Sequence, residues 1–185
     1  MAVVNLRDYE RESIRAFVQR AADDGYLSGR VLDYGCGRQP YRDIVEAAGG
    51  EYEGFDRPYF AGALAGVGDV GDILINGYDS VLCTQVVQYL DFPTDEIHRM
   101  RNMLLKARGH LVLSYPTSWP EVEADDYHRF TKAGMTRRLE AAGFTIIRHE
   151  RRGTLYDPRF PSGREKRITA LGEEFAIGYG VVARA

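Results

Sequence analysis

Apolar residues recur at helical spacing in some stretches of the chain and form short continuous runs in others, which is typical of an α/β protein. A helix is predicted over residues 6–24, where the i, i+3, i+4, i+7 positions of one face are apolar. Short apolar runs predict strands at 30–34, 51–55, 79–84, 110–114, 144–148 and 174–183, with a further short strand near 65–68. Helices are predicted between these runs at 40–48, 93–106 and 131–142.

Glycine, proline and capping residues indicate where these elements begin and end. Pro40 suits the first turn of a helix, where its missing N–H costs nothing. Thr94 and Thr131 are predicted to cap the third and fourth helices, and Gly143 to end the fourth in a left-handed conformation. Residues 115–130 contain two prolines and the only tryptophan, and are predicted to form a long loop.

Composition agrees with one globular domain and adds no chemistry of its own. The chain has 185 residues, 44% of them hydrophobic and 28% charged, which excludes a disordered or fibrous protein. No apolar run approaches the ~18–20 residues that span a bilayer, and the N-terminus does not resemble a signal peptide, so a cytoplasmic location is expected. Two cysteines, Cys36 and Cys83, lie in different predicted elements. We therefore predict no disulfide framework and no metal site.

The net charge of −3 hides an uneven distribution. Residues 148–168 carry seven basic and three acidic side chains, a net charge of +4, which leaves −7 for the rest of the chain. A nucleic-acid-binding domain is usually strongly basic as a whole, so this composition gives nucleic-acid binding little support.

The turn after the first predicted strand carries the most specific chemistry. The strand 30–34 runs into Gly35-Cys36-Gly37 and then into a helix, an arrangement that lets backbone amides approach a ligand closely. The dinucleotide fingerprint GxGxxG would need glycine at position 40, where Pro40 stands. Asp33 beside the turn disfavours a pyrophosphate and favours a cationic ligand. Asp56, 19 residues after the second glycine, is placed to bind ribose hydroxyls. An adenosine that carries an amino acid and a sulfonium meets both demands.

At this point the sequence resembles the class I S-adenosylmethionine-dependent methyltransferases. The matching stretches, in the order of the family's motifs, are 32–37 (LDYGCG), 53–56 (EGFD), 68–70 (GDV), 79–90 (DSVLCTQVVQYL), 104–113 (LLKARGHLVL), 126–131 (DYHRFT) and 139–144 (LEAAGF). The resemblance covers about residues 28–150. Some relatives with the last two motifs act on sugars of surface polysaccharides.

The resemblance implies a Rossmann-like, doubly wound, mostly parallel sheet of seven strands whose last strand is antiparallel and inserted beside the fifth. It implies one domain, 1–185: an N-terminal helix cap (1–28), a cofactor-binding core (30–150), and a basic loop with the last strand (151–185). S-adenosyl-L-methionine would be the cofactor. The residues expected to bind it are Asp33, Tyr34, Gly35, Gly37, Asp56, Asp69, Val70 and Gln85.

Departures from known methyltransferase motifs limit which residue roles can be transferred and which substrates are expected. Many relatives carry Glu-His where Gln88-Tyr89 stand, so no role is transferred to that pair. The Asn/Asp-Pro-Pro-aromatic signature of enzymes that methylate base amines is absent after the strand 79–84, and so is a Pro-Cys nucleophile. Both absences disfavour methylation of DNA bases, and a small-molecule acceptor is expected.

On the acceptor side, the implied fold places the loop 115–130 and the basic connection after the sixth strand over the ligand edge of the sheet. We predict an acceptor that is anionic or a sugar derivative, bound by Arg129, Arg152 and Trp119. If the acceptor arrives protonated, a general base is needed, and His128 has the right intrinsic pKa, with Tyr127 as a second catalytic candidate.

Three alternatives stay open. A nicotinamide-dependent reductase is disfavoured by Pro40 and by the lack of a Tyr-x-x-x-Lys pair. A cofactor-binding subunit without activity stays open because of the departure at Gln88-Tyr89. An RNA methyltransferase finds little support in the acidic composition. The protein is expected to be a monomer or a homodimer, with no membrane partner.

Overall fold

The computed structural model describes residues 6–56, 75–105, 108–154 and 176–185. The helices are α1 (Leu6–Asp23), α2 (Arg42–Ala47), α3 (Pro93–Met103) and α4 (Lys132–Ala141), with a short 3₁₀ helix at Val87–Tyr89. The strands are β1 (Gly29–Tyr34), β2 (Gly50–Phe55), β3 (Ser80–Thr84), β4 (His110–Pro116), β5 (Thr145–Thr154) and β6 (Ala176–Arg184).

Within these ranges six strands form one sheet in the order β2-β1-β3-β4-β6-β5. The pairs β1–β2, β1–β3 and β3–β4 are parallel, and β6 lies antiparallel between β4 and β5. The predicted mostly parallel sheet with an inserted antiparallel last strand is therefore confirmed. The additional strand predicted near 65–68 lies outside the described residues, so six strands are seen where seven were predicted.

Alternation along the strands divides the core into two layers. Val31, Leu82 and Val112 point to the face covered by α1 and α2, where the predicted apolar stripe of α1 is buried. Their neighbours Leu32 and Leu111 point to the opposite face, against α3 and α4. The strands of a parallel sheet that is covered on both faces are nearly continuously apolar, which is why short apolar runs in the sequence located them.

Local details differ from the sequence predictions in several places. The largest difference is in β5, which was predicted to end at residue 148 and continues to Thr154 by pairing with β6, so Arg151 and Arg152 lie in the sheet and not in the basic loop. Pro40 precedes α2, whose first helical residue is Arg42. Thr94 does not cap α3, because Pro93 already occupies the first helical position and Phe92 is the flanking residue. Strand β4 continues through Tyr115 and Pro116, since β6 pairs with them. In contrast, Thr131 does cap α4: its hydroxyl accepts a hydrogen bond of 3.0 Å from the Gly134 amide.

The carboxyl ends of β1, β3, β4 and β5 meet at one edge of the sheet, called here the ligand edge. In doubly wound sheets, ligands bind at this edge. No helix among the described residues is long and apolar enough to cross a membrane.

Candidate active site

The glycine turn after β1 is tied to the end of β2 by backbone hydrogen bonds. The amides of Gly35 and Cys36 both donate to the carbonyl of Phe55, at 2.8 and 3.0 Å. The amide of Gly37 donates to Oδ2 of Asp56 at 2.7 Å. Gly35 and Gly37 have φ angles of 80° and 51°, which favour glycine. The predicted ribose-binding Asp56 thus lies directly beside the turn.

The turn also packs closely against the segment that follows β3. A Cβ atom on Gly35 would lie 2.2 Å from Cγ2 of Val86, so no side chain fits there. The glycine therefore serves two purposes, a left-handed backbone and close contact between the ends of β1 and β3.

Asp33, on β1, is the buried charged group of this region, with 1% of its surface exposed. Its Oδ2 atom accepts a hydrogen bond of 2.6 Å from the Tyr52 hydroxyl. Its Oδ1 atom is buried and has no hydrogen-bond partner among the described residues. Burial raises the pKa of Asp33 to about 7; the Tyr52 bond opposes this shift and the charge of Asp56 adds to it. The site thus holds an acceptor oxygen ready for a cationic hydrogen-bond donor.

The segment after β3 begins in a strained conformation, since Gln85 has a φ angle of 55°. The Gln85 amide donates to the Ser114 carbonyl at 3.0 Å, and its Nε2 atom donates to the Ser114 hydroxyl at 3.3 Å. Gln88 in turn donates from Nε2 to the Gln85 carbonyl at 3.0 Å. The Oε1 atom of Gln88 is buried without a partner among the described residues.

Arg129 holds the loop between β4 and α4 together. Its two terminal nitrogens donate hydrogen bonds to the two carboxylate oxygens of Asp126, at 2.5 and 2.6 Å. These hydrogen bonds lower the pKa of Asp126. Its other hydrogen bonds reach the carbonyls of Trp119, Pro120 and His128. These contacts occupy all five guanidinium N–H groups, so the loop is pinned by one side chain. The predicted contact of Arg129 with an acceptor stays a prediction.

The same loop is anchored to the segment after β3. The amides of Tyr127 and His128 donate to the Gln88 carbonyl, at 2.9 and 3.2 Å. The Nε2 atom of His128 lies 3.0 Å from the Leu90 carbonyl. Because a carbonyl only accepts, Nε2 carries the proton, and in the neutral ring Nδ1 is the basic nitrogen. The two catalytic candidates therefore lie at the ligand edge, with Tyr127 55% exposed.

Arg152, near the end of β5, is the largest fully buried side chain in the described part of the chain, with 1% of its surface exposed. It donates to the carbonyls of Tyr179 and Tyr115, at 3.2 and 3.3 Å, and to the Ser13 hydroxyl at 3.1 Å. A Cβ atom on Gly178 would lie 2.3 Å from its Nη2 atom, so the glycine makes room for the guanidinium. Burial lowers the pKa of Arg152 to about 10, and it stays a cation at neutral pH.

Arg152 differs from two other charged residues on the same strand, Arg148 and Glu150. Arg148 pairs with Asp24, and Glu150 pairs with Arg20 at 2.6 Å. Arg152 makes no such ion pair with the described residues, although it is the most buried of the three. The charge of Glu10, on α1, raises the pKa of Arg152 and is the main charge that faces it. Burial raises the pKa of Glu10 itself.

The other predicted site residues are placed as follows. The Tyr34 hydroxyl donates to Glu96 of α3 at 2.8 Å, so its side chain belongs to the core, and only its backbone faces the turn. Trp119 is half-buried in the loop after β4. Asp69 and Val70 lie outside the described residues, as does the basic cluster beyond residue 154.

Sequence reasoning missed Tyr52, Gln88, Ser13 and Glu10. Tyr52 could have been found, because it lies two residues before Gly54 on β2 and therefore on the strand face that Asp33 shares. The missing side chain of Gly54, the residue opposite Asp33, leaves the tyrosine room. Gln88 was marked only as a departure from the family's motif and was given no role. Ser13 and Glu10 carry no local signal, because Arg152, the residue they face, lies far away in the sequence.

Comparison with known proteins shows which protein family the chain matches. A family model described as "Methyltransferase domain" matches residues 6–149. No curated protein matches the chain significantly.

Solved structures with the same fold include three methyltransferases of low sequence identity. One from Archaeoglobus fulgidus is S-adenosylmethionine-dependent and 16% identical, with a TM-score of 0.68 over 95% of this chain and 94% of that one. A Haloferax volcanii methyltransferase complex with the Trm112 activator is 16% identical, with a TM-score of 0.68 over 97% and 92%. Magnesium protoporphyrin IX methyltransferase from Synechocystis, solved with S-adenosylhomocysteine, is 20% identical, with a TM-score of 0.60 over 100% and 89%.

Proposed function

Because the chain belongs to the methyltransferase domain family, we propose that it moves a methyl group from S-adenosylmethionine to an anionic small-molecule acceptor. The family match confirms the predicted class I S-adenosylmethionine-dependent methyltransferase and, with it, the cofactor. The nature of the acceptor is the part that we propose.

The residues at the end of β1 fit the cofactor. Asp33 offers a buried carboxylate oxygen without a partner among the described residues, and the cofactor carries an ammonium and a sulfonium. Gly35 and Gly37 keep the turn free of side chains, and Asp56 is held beside it for the ribose. When bound, S-adenosylmethionine supplies a methyl group on a positively charged sulfur. This half-satisfied carboxylate is the observation that carries the proposal.

The loop after β4 supplies the acceptor side. Methyl transfer is an in-line displacement, so alignment of the acceptor and exclusion of water account for much of the acceleration. The Asp126–Arg129 pair ties the loop together, and the Gln88 carbonyl accepts hydrogen bonds from the amides of Tyr127 and His128 after the end of β3. For a protonated acceptor, Nδ1 of His128 would take the proton, because Nε2 is committed to Leu90.

Arg152 supports an acidic group on the acceptor. A buried cation without a counter-ion costs several kcal/mol, and an anionic ligand would offset that cost. Its bonds to three neutral acceptors leave two N–H groups uncommitted among the described residues. A carboxylate or phosphate would suit them, and a sugar derivative that carries such a group fits equally well. Arg164 and Arg167 of the basic cluster lie outside the described residues.

Binding of simple anions tests this assignment. Inorganic phosphate and acetate, compared with chloride at equal ionic strength, should raise the Tm of the wild type. Arg152→Met should lose the increase and Arg148→Gln should keep it, because Arg148 already has carboxylate partners. An equal increase in wild type and Arg152→Met would remove the anionic acceptor from the proposal.

Calorimetric titration with S-adenosylhomocysteine tests the cofactor site, and a screen of carboxylated and phosphorylated metabolites and nucleotide sugars tests transfer. A cofactor-binding subunit is the second candidate, since one relative of the same fold was solved with an activator protein. Cofactor binding without transfer, together with a copurifying partner, would favour that second candidate.

A further inference from the structure

Gln88 combines a departure from the family's motif with an unsatisfied buried oxygen. Only 4% of its surface is exposed. Its amide orientation is determined by chemistry, because the group 3.0 Å from the Gln85 carbonyl must be the donor, Nε2. The other end of the amide, Oε1, is therefore the acceptor, and it has no partner among the described residues. Leaving such an oxygen buried and unpaired costs about 1–3 kcal/mol of stability, and a hydrogen bond from a ligand would offset this cost.

The fold brings Gln88 toward the cofactor end of the ligand edge. Strands β1 and β3 are neighbours, with Asp33 opposite Leu82, and Val86 packs directly on Gly35. The segment that carries Gln88 therefore lies against the glycine turn. Two buried side-chain oxygens in this region lack a hydrogen-bond partner among the described residues. One is Oδ1 of Asp33, and the other is Oε1 of Gln88.

Two buried acceptor oxygens, one on β1 and one on the short 3₁₀ helix after β3, suit one group with several donors. An ammonium has three N–H bonds, whereas a ribose hydroxyl has one donor and is already assigned to Asp56. We propose that Gln88 Oε1 binds the α-ammonium group of the cofactor together with Asp33. This inference rests on the proposed function, since it takes S-adenosylmethionine as the ligand, and it gives a role to a side chain that motif comparison left without one.

A cycle of two ligands and two proteins tests the inference by calorimetry. The ligands are S-adenosylhomocysteine and its analogue without the α-amino group, and the proteins are the wild type and Gln88→Met, which keeps the length and removes the oxygen. Gln88→Met should bind S-adenosylhomocysteine about tenfold or more weakly, and the analogue within twofold of the wild type. Gln19→Met, on the exposed face of α1, is the matched control and should bind both ligands like the wild type.

The other outcomes of this titration would contradict the role of Gln88. Equal S-adenosylhomocysteine affinity in wild type and Gln88→Met would overturn the inference and leave the cofactor site intact. An equal loss for both ligands would also overturn it, since Gln88 would then only shape the site. If Gln88→Met does not fold, Gln88→Glu, which retains an acceptor oxygen, should preserve the preference for the amino-bearing ligand; an equal affinity for both ligands contradicts the inference. If the wild type does not bind S-adenosylhomocysteine, the proposed function itself fails.

Discussion

The ends of β1 and β5 bury opposite charges at the same edge of the sheet. Asp33 at the end of β1 is a carboxylate with one oxygen bound to Tyr52 and the other unpaired among the described residues. Arg152 near the end of β5 is a guanidinium whose partners in the described part of the chain are two carbonyls and a hydroxyl. Both are 1% exposed, and neither forms an ion pair with a described residue.

The opposite charges of Asp33 and Arg152 would bind the two ligands of methyl transfer, the cofactor and the acceptor, at different places. The β1 end suits a cation, and the β5 end suits an anion, so each ligand is repelled from the other's place. The buried charges destabilise the protein when no ligand is bound, because each loses hydration without forming a direct ion pair with a described residue. Such a cost at a ligand edge is typical of a functional site and would be unusual in a purely structural core.

The largest expected effect comes from testing a variant of each strand end, Asp33 of β1 and Arg152 of β5, against both kinds of ligand. Asp33→Asn should weaken S-adenosylhomocysteine binding by roughly 10- to 100-fold, because a hydrogen bond to a charged group contributes about 1.5–3 kcal/mol. The same variant should keep the stabilisation by phosphate, and Arg152→Met should show the reverse pattern. Calorimetry and thermal unfolding measure the two effects. Loss of both ligands in either variant would show that the two ends act as one site.

The second effect concerns the glycine turn. Gly35 and Gly25 have nearly the same φ, 80° and 82°, but only Gly35 has a neighbour where a Cβ would lie. Gly25→Ala should therefore cost about 1–2 kcal/mol of unfolding free energy for the left-handed backbone. Gly35→Ala should cost an additional 1–3 kcal/mol for the overlap with Val86 and should weaken S-adenosylhomocysteine binding. Equal costs in urea unfolding would argue against the close contact of β1 and β3 ends.

The third effect is the pH dependence of stability. The folded-state pKa of Asp33 is raised to about 7 from an ordinary 3.8, so the folded state binds this proton more tightly than the unfolded state. Its contribution to stability is therefore fully present below about pH 4 and is lost as the pH rises through 7. Between pH 5.5 and 8, the wild type should lose roughly 2 kcal/mol more unfolding free energy than Asp33→Asn. Parallel pH profiles from urea unfolding would contradict a buried, protonatable Asp33.

The smallest effect compares two tyrosines. Tyr52 and Tyr78 each donate a hydrogen bond of 2.6 Å to a carboxylate, to Asp33 and Glu53 respectively. Tyr52→Phe leaves Asp33 without its partner, so its pKa should rise further and S-adenosylhomocysteine affinity at pH 7 should fall several-fold. Tyr78→Phe removes a similar bond outside the site and should leave that affinity unchanged. Indistinguishable affinities for the two variants would place the ligand away from Asp33.

Much of the β1 end could be predicted from the sequence, because its chemistry is local. The strand, the two glycines and Asp33 are contiguous, and Asp56 follows at the end of the next strand, so spacing alone placed them together. The parallel sheet followed from apolar runs that are buried on both faces. Tyr52 was within reach of the same reasoning, because strand alternation puts it on the face of Asp33.

The β5 end could not be predicted in the same way, since its properties arise from contacts across the chain. Arg152 and Arg148 look alike in the sequence, and only the fold shows that Arg148 meets Asp24 whereas Arg152 meets Ser13 and two carbonyls. Likewise, the committed donors of Arg129 and the unpaired oxygen of Gln88 depend on which backbone groups lie nearby. Charge counting indicated a basic region but could not identify its buried member.

The most direct test of the central claim is the proton balance of cofactor binding. S-adenosylhomocysteine is titrated at pH 7 in two buffers of different ionisation enthalpy. Because the pKa of Asp33 is about 7, about half of the molecules carry its proton, and a cationic ligand should displace it. We expect release of about half a proton per ligand bound, and none in Asp33→Asn. Binding without proton release, or equal release in both proteins, would contradict the placement of the cofactor's ammonium on Asp33.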